Sequence, residues 1–407
     1  MDVLNAHSRM DNSPPKPSPA QYQRKPTPTF ENFGAFHFTG VKNALSPAQT
    51  KTWASTLSKT FSRSWANWPE TSNETDPKLT MRMNDRVLTY STEATPAAHF
   101  SQAIHYVSEI QGLRTKEPET AADLIAEAVQ DDMILVIYGS NAIENAGLGL
   151  DETTKICEAI FRGEMIDIEP RGRAYEEKTN AVIQTAQDAD QHIIRTRNEV
   201  IQHAKALQYI TNAVMTEQKE ITEKLIQATH AILIKGVDHP KYGTPFREYA
   251  GVYRNRVKQP GTEIMGAEVN AGGHHFTASK AVPTAMANLV ASLKSDIAEA
   301  ERTKSLDPFT LAAKYCGKFV CVHPFLDGNG RMCRLLLNVI LLKYAGIVVP
   351  IGECEGGRKE YLDIKRRYSA DGEDEGEFAA MVLKRATLSL KTVRDKLVGA
   401  CHGKGNA

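Results

Sequence analysis

The chain has 407 residues, with 49 basic and 49 acidic side chains and 41% hydrophobic residues. That length supports a substantial core and more than one structural unit. A formal net charge of zero offers no basic stripe, so neither a nucleic-acid partner nor a membrane partner is expected. Cys157, Cys316, Cys321, Cys333, Cys354 and Cys401 are scattered without metal-ligand spacing. They read as reduced thiols in a cytoplasmic or nuclear protein, and the opening MDVLNAHSRMDNSPPKPSPA lacks an apolar signal core.

In chain order, residues 1–30 are rich in Pro, Ser, Lys and Gln and predict a disordered tail. Residues 31–130 read as an additional helical region without an assignable role. Ser46, Pro47 and Gln49 there make a helix start with a capping box. From about 131 onward nearly every segment has helical periodicity. EITEKLIQATHAILIKGV sets Ile221, Leu225 and Ile232 on one stripe. VYRNRVKQPGTEIMGAEVNAGGHHFTASKAVP is Gly-rich and aperiodic, which predicts a loop or short hairpin. DPFTLAAKYCGKFVCV predicts a helix capped by Asp307 and closed at His323, because a residue before proline leaves the helical region. RMCRLLLNVILLKYAG is apolar on most sides, so it predicts a central helix stopped near Gly346. Asn338 and Lys343 interrupt it as a membrane span. Residues 391–407 are expected to be a flexible C-terminus.

HPFLDGNGRMCR, His323 to Arg334, gathers chemistry into twelve positions. Gly328, Asn329 and Gly330 precede a helix, whose first amides and dipole form an anion seat. Arg331 and Arg334 are three apart and leave the first turn on one side, which suits more than one phosphate. Asp327 is a hard oxygen ligand beside the seat, the donor Mg²⁺ takes together with substrate phosphates. His323 is the group here that can act as a neutral base near pH 7. Singly, each has an ordinary explanation: a turn, a satisfied structural histidine, solvated arginines. Together they suit attack of a hydroxyl on a nucleotide phosphate.

This stretch resembles the Fic family signature H-x-F-x-[DE]-G-N-G-R-x-x-R, with every defining position filled. The resemblance extends over about residues 134–385, with an apparent insertion around 165–200, and implies an all-α fold: a compact helical core with a β-hairpin flap, here over 131–390. It implies His323 as general base, Phe325 as buried anchor and Asp327 as ligand of Mg²⁺ or Mn²⁺. Gly328, Asn329, Gly330 and Arg331 would cradle phosphates, with Arg334 on the γ-phosphate. AGVYRNRV and AGGHHFTASKAVPTAMANL resemble the flap region, which places Gly273, His274 and His275 near the nucleotide and a target protein along Gly272 to Phe276. Tyr361 matches the family's adenine-side aromatic. The implied activity is AMP transfer from ATP to a Ser, Thr or Tyr hydroxyl of a target protein, with a homodimer as a further expectation.

Upstream, YGSNAIENAGLGLDET holds Ser140 and Glu144 four apart, and with Asn145 it resembles the family's inhibitory motif [ST]-x-x-x-E-[GN]. The resemblance implies an inhibitory helix near 138–146, built N-terminal to the catalytic motif, with Glu144 paired to Arg334. Some members with this motif also remove AMP from targets. Two alternatives stay open: another transferred group (UMP, phosphocholine or a terminal phosphate), and a non-catalytic nucleotide-sensing adaptor.

Overall fold

Residues 68, 78–81, 95–166, 189–271, 274–371 and 375–403 are described by the structure, a computed structural model of the protein. The Pro-rich tail 1–30, the helix expected after Ser46 and the middle of the 165–200 stretch lie outside them. Helices dominate the described residues, as expected. The strands are two short pairs: β1 (Lys78–Leu79) runs parallel to β4 (Ser305–Leu306), and β2 (Asn270–Ala271) pairs antiparallel with β3 (His274–His275). The latter is the expected flap hairpin.

Two proline-led helices come first. Thr95 caps α1 (Pro96–Lys116) by accepting a hydrogen bond from Ala98 N at 3.2 Å. Next, α2 (Pro118–Ile143) runs unbroken across residue 130, where the sequence reading divides one region from the next. Ile125, Val129, Met133, Val136, Ile137 and Ser140 lie on its buried side, so the apolar stripe is continuous over that boundary. Helices α3 (Leu150–Phe161), α4 (Ala189–Thr211), α5 (Glu223–Leu233), the short α6 (Phe246–Tyr249) and α7 (Val282–Thr303) follow.

The centre is a pair of helices, α8 (Pro308–Val322) and α9 (Asn329–Ala345), joined by the motif loop. Asp307 Oδ1 caps α8, accepting from Phe309 N at 3.0 Å and Thr310 N at 2.9 Å. Nearly every residue of α9 is buried, and it is wrapped by α8, α4, α2 and α5, as its all-round apolar sequence requires. Gly346, at φ +68°, ends it. Trp68 Nε1 donates to Ala345 O at 3.1 Å, which ties the N-terminal part of the chain to the same core. Helices α10 (Gly357–Asp371) and α11 (Gly376–Gly403) complete the fold. The expected flexible stretch 391–407 is helical through 403, because Leu390, Val393 and Leu397 continue the buried stripe of α11.

One contact positions the end of α2. A side chain at Gly139 would fall 2.5 Å from Ile351 O and 2.6 Å from Glu353 N, so only glycine lets α2 approach the turn at 351–353. Arg358 Nε then donates to Ile143 O at 2.9 Å and satisfies one terminal carbonyl of α2. This docking aims Ser140 and Glu144 at the start of α9.

Candidate active site

His323 closes α8 in a left-handed conformation, φ +50° and ψ +59°. The residue before Pro324 does leave the helix, but into the left-handed region rather than the extended one. Its N–H donates to Phe319 O at 3.0 Å, and its carbonyl accepts from Arg254 Nε at 2.7 Å, which hold that conformation. The Phe276 ring stacks on the imidazole at 3.8 Å with 17° between the planes. Nδ1 faces the acceptor Val320 O at 3.3 Å, so Nδ1 carries the proton and Nε2 keeps its lone pair. Burial pushes this imidazole down to about 4, with the Arg254 charge adding to the effect and Val320 O, Glu144 and Asp327 opposing it. His323 is therefore neutral at pH 7.

The loop after it is held from behind. Phe325 is fully buried and lies flat on His230, centroids 3.6 Å apart. Gly251 N donates to His230 Nδ1 at 2.9 Å, which leaves Nε2 to donate to Asp327 O at 2.9 Å. Asn329 Oδ1 accepts from Phe325 N at 2.9 Å, and Asn329 Nδ2 donates to Phe325 O at 2.8 Å. The Asn329 side chain thus locks the loop, and what it can offer an anion is its backbone amide. Pro324 O accepts from Arg254 N at 2.8 Å. The carbonyls of 323, 324 and 327 are engaged by Arg254 and His230, and that of 325 by the Asn329 side chain. Gly328, at φ +76° and with Ile234 Cδ1 placed 2.9 Å from where a Cβ would be, would be strained as any other residue. No side chain caps α9, so its first-turn amides are the ones a helix leaves without an intrahelical partner.

Two buried guanidiniums face this turn. Arg331 is 3% exposed and reaches Asp327 Oδ2 only at 3.4 Å, while its Nε and Nη1 have no partner. A buried cation with open donors suits an anion. Arg334 is 2% exposed and held on two of its nitrogens: Nε donates to Ser140 Oγ at 2.8 Å, and Nη2 to Ser140 O at 2.9 Å and Glu144 Oε1 at 2.6 Å. Burial works against its charge, but Glu144 outweighs it and raises its pKa. Glu144 Oε1 also lies against Gly330, where any Cβ would collide with it. Glu144 is the C-cap of α2, not a residue within the helix, and Asn145 follows at φ +53° as the turn residue.

For Asp327, burial alone would raise the pKa, but Arg331, Gly328 N–H, His239 and His230 outweigh it and hold the carboxyl below its ordinary value. Its side chain is 26% exposed, so an ionised oxygen reaches the site. No group of three or more His, Cys, Asp or Glu side chains among the described residues is arranged to hold a metal. Asp327 therefore fits a divalent ion that takes its other ligands from phosphate and water.

Tyr361 departs from expectation. Its ring is 3% exposed, packed against Phe378 and the Arg334 guanidinium, and presents no open face for a base. His274 and His275 lie on β3, and Gly273 is outside the described residues. Sequence reading missed His230 and Arg254, and gave Phe276 only as the end of the flap, not as the ring stacked on His323. Arg254 sits in the quoted VYRNRV beside Asn255 and Arg256, where no local signal sets it apart from a solvated charge.

The model of the Fic/DOC family matches residues 220–341. The chain carries a Fic/DOC domain. It is 32% identical over 177 residues to protein adenylyltransferase Fic of Drosophila willistoni, covering 42% of this chain and 30% of that protein. It is 30% identical over 177 residues to the protein of the same name from Drosophila grimshawi, covering 42% and 31%. The chain thus spans about a third of the length of these curated relatives. In fold it is similar to a Fic domain-containing signaling protein of Bacteroides thetaiotaomicron, with TM-score 0.53, 19% identity and coverage of 73% of this chain and 98% of that one. It is also similar to Fic-1 of C. elegans, with TM-score 0.51, 22% identity and coverage of 76% and 74%. Among the described residues no helix is long and apolar enough to cross a membrane.

Proposed function

We propose that this chain is a protein adenylyltransferase that moves AMP from ATP to a Ser, Thr or Tyr hydroxyl of a target protein, and that Glu144 holds it in a resting state. What carries the reading is one juxtaposition: a neutral imidazole with a free Nε2 beside an uncapped helix start and the partly unpaired Arg331. The name that the Drosophila relatives carry supports it.

The target hydroxyl gives its proton to His323 Nε2 as its oxygen attacks the α-phosphorus. The bond to the β-phosphate oxygen breaks, and pyrophosphate leaves. The first-turn amides of α9 and Arg331 hold the phosphates, and Arg334 takes the γ-phosphate once Glu144 withdraws. Mg²⁺ or Mn²⁺ bound at Asp327 would neutralise charge on the leaving pyrophosphate. Tyr361 supports Arg334 from one side and offers no open face to a base, so this reading assigns recognition of ATP to its phosphates.

ATP labelled on the α-phosphate or on the γ-phosphate separates the readings. The Glu144→Gly protein should take up the α-label on itself or on protein in a cell extract, and the γ-label should be lost. Uptake of the γ-label would mean phosphate transfer, and uptake of neither, with any nucleotide, would leave a nucleotide-sensing adaptor. Mass spectrometry of the extract identifies the recipient.

A further inference from the structure

Arg254 is the fully buried cation that the proposed chemistry does not use. It contacts none of the phosphate-side groups Asp327, Arg331 or Arg334 through any hydrogen bond. Its partners are instead the two legs of the flap and the backbone of the base. On the incoming leg, Nη1 donates to Ala267 O at 3.0 Å and to Glu268 Oε2 at 3.1 Å. Arg254 O also accepts from Ala267 N at 2.9 Å. On the outgoing leg, Nη2 donates to Thr277 O. On the catalytic loop, Nε donates to His323 O at 2.7 Å and the backbone N–H to Pro324 O at 2.8 Å.

Glu268 closes the arrangement. While Oε2 pairs with Arg254, its Oε1 accepts from Ser279 N at 2.8 Å, so one carboxylate also spans both legs. Between Thr277 and β3 stands Phe276, whose ring is stacked on His323. The segment that leaves the hairpin therefore touches the imidazole through Phe276 and the imidazole's own backbone through Arg254.

We propose that Arg254 and Glu268 form a brace joining both legs of the flap to the backbone of His323, so that Arg254 is a positioning residue for the base and strain on the flap moves the imidazole. The proposal rests on His323 being that base. A planar guanidinium can bind carbonyls in several directions at once, which an ammonium at one point cannot. Reacting groups displaced by about 1 Å can lose on the order of 10²-fold in rate, so a small shift of the brace is enough to be measured. Because the brace and the phosphate seat are separate, it acts on turnover and leaves nucleotide affinity alone.

The test uses the full chain in the Glu144→Gly background. Glu268→Gln keeps an acceptor for Ser279 N and removes the ionic partner of Arg254; its side chain is 52% exposed, so the fold tolerates it. Phe276→Leu removes the ring seat by a second route. Each should lower the self-labelling rate at saturating ATP by roughly tenfold or more, with the ATP Kd from calorimetry unchanged. An unchanged rate, or a rate and Kd that weaken together with Tm, overturns the brace. If the Glu144→Gly parent labels with no nucleotide, the reading of the function fails instead. The brace is then judged by the histidine ring resonances, with His323 assigned through His323→Ala. Glu268→Gln should shift that resonance, and Glu263→Gln, on a side chain 89% exposed, should not. No shift with Glu268→Gln overturns the proposal whatever the activity.

Discussion

Replacing Glu144 by glycine tests the resting state most directly. Glu144 Oε1 sits 2.6 Å from Arg334 Nη2, with Arg334 2% and Glu144 38% exposed. Charge centres about 4 Å apart at an effective dielectric near 20 attract by about 4 kcal/mol. The open side of Glu144 lets water screen much of this, and a hydrogen bond to a charged group is worth about 1.5–3 kcal/mol net. Every ~1.4 kcal/mol is tenfold, so removing Glu144 should tighten ATP binding by about ten- to a hundredfold. Ser140 keeps its two contacts to Arg334, so the guanidinium stays aimed. Calorimetry on His323→Ala proteins, with and without Glu144→Gly, measures the affinity without turnover. Glu144→Gln separates charge from bulk, since its side chain still rests against Gly330. If ATP affinity and labelling are both the same in Glu144→Gly and wild type, the pairing of Glu144 with Arg334 does not restrain the site.

Four further outcomes are expected. His323→Ala should abolish labelling with the ATP Kd unchanged, because the ring faces the reacting hydroxyl rather than the phosphate seat. Asp327→Ala, or a chelator, should lower labelling sharply, and added Mn²⁺ should restore the chelated protein but not the variant. Gly139→Ala should push α2 from the turn at 351–353, with ~1–3 kcal/mol of overpacking read as a lower Tm and with labelling raised above wild type; unchanged labelling would mean that the docking of α2 does not control Glu144. Burial depresses His323 and His230 to about 4 and His203 well below its ordinary value. Each binds fewer protons folded than unfolded between about pH 4 and the unfolded value near 6.5, so stability is present above 6.5 and lost as pH falls through that window. Thermal unfolding across pH 4–7 checks the sign.

Local signals were legible in sequence where one residue's chemistry decides one feature. Asp307 with Pro308 starts α8, Gly346 ends α9, and the all-round apolar run from Leu335 makes α9 central. The motif named His323, Asp327 and the two arginines, and spacing alone placed Ser140 and Glu144 together. What sequence did not reveal depends on long-range packing. His230 reaches Asp327 O across 97 positions and Arg254 reaches His323 O across 69. Tyr361 looked like a base-stacking aromatic because its type fits, but burial between Phe378 and Arg334 is set by the approach of α10. Asn329 looked like a phosphate ligand, yet its amide side chain matches the backbone of Phe325 on both atoms. The helical stretch after 391 looked like a tail because a buried stripe of small periodicity is weak evidence without its partner α1.

Arg334 shows why inhibition and stability cannot be separated in this site. Arg334 is 2% exposed and Glu144 38%, so water makes up only part of a lost carboxylate. Truncating the partly exposed partner leaves the buried guanidinium under-compensated, with a loss moderated by solvent. Glu144 therefore stabilises the ATP-free fold by the same contact that excludes the γ-phosphate. Two signs follow for Glu144→Gly: without nucleotide its Tm falls below wild type, and with saturating ATP and Mg²⁺ it rises by more than wild type does, because the phosphate replaces the missing anion. A variant with a lower Tm and no larger response to ATP would place the γ-phosphate away from Arg334. A variant with an unchanged Tm would show that Ser140 alone satisfies the guanidinium, and Glu144 would then act through its bulk against Gly330.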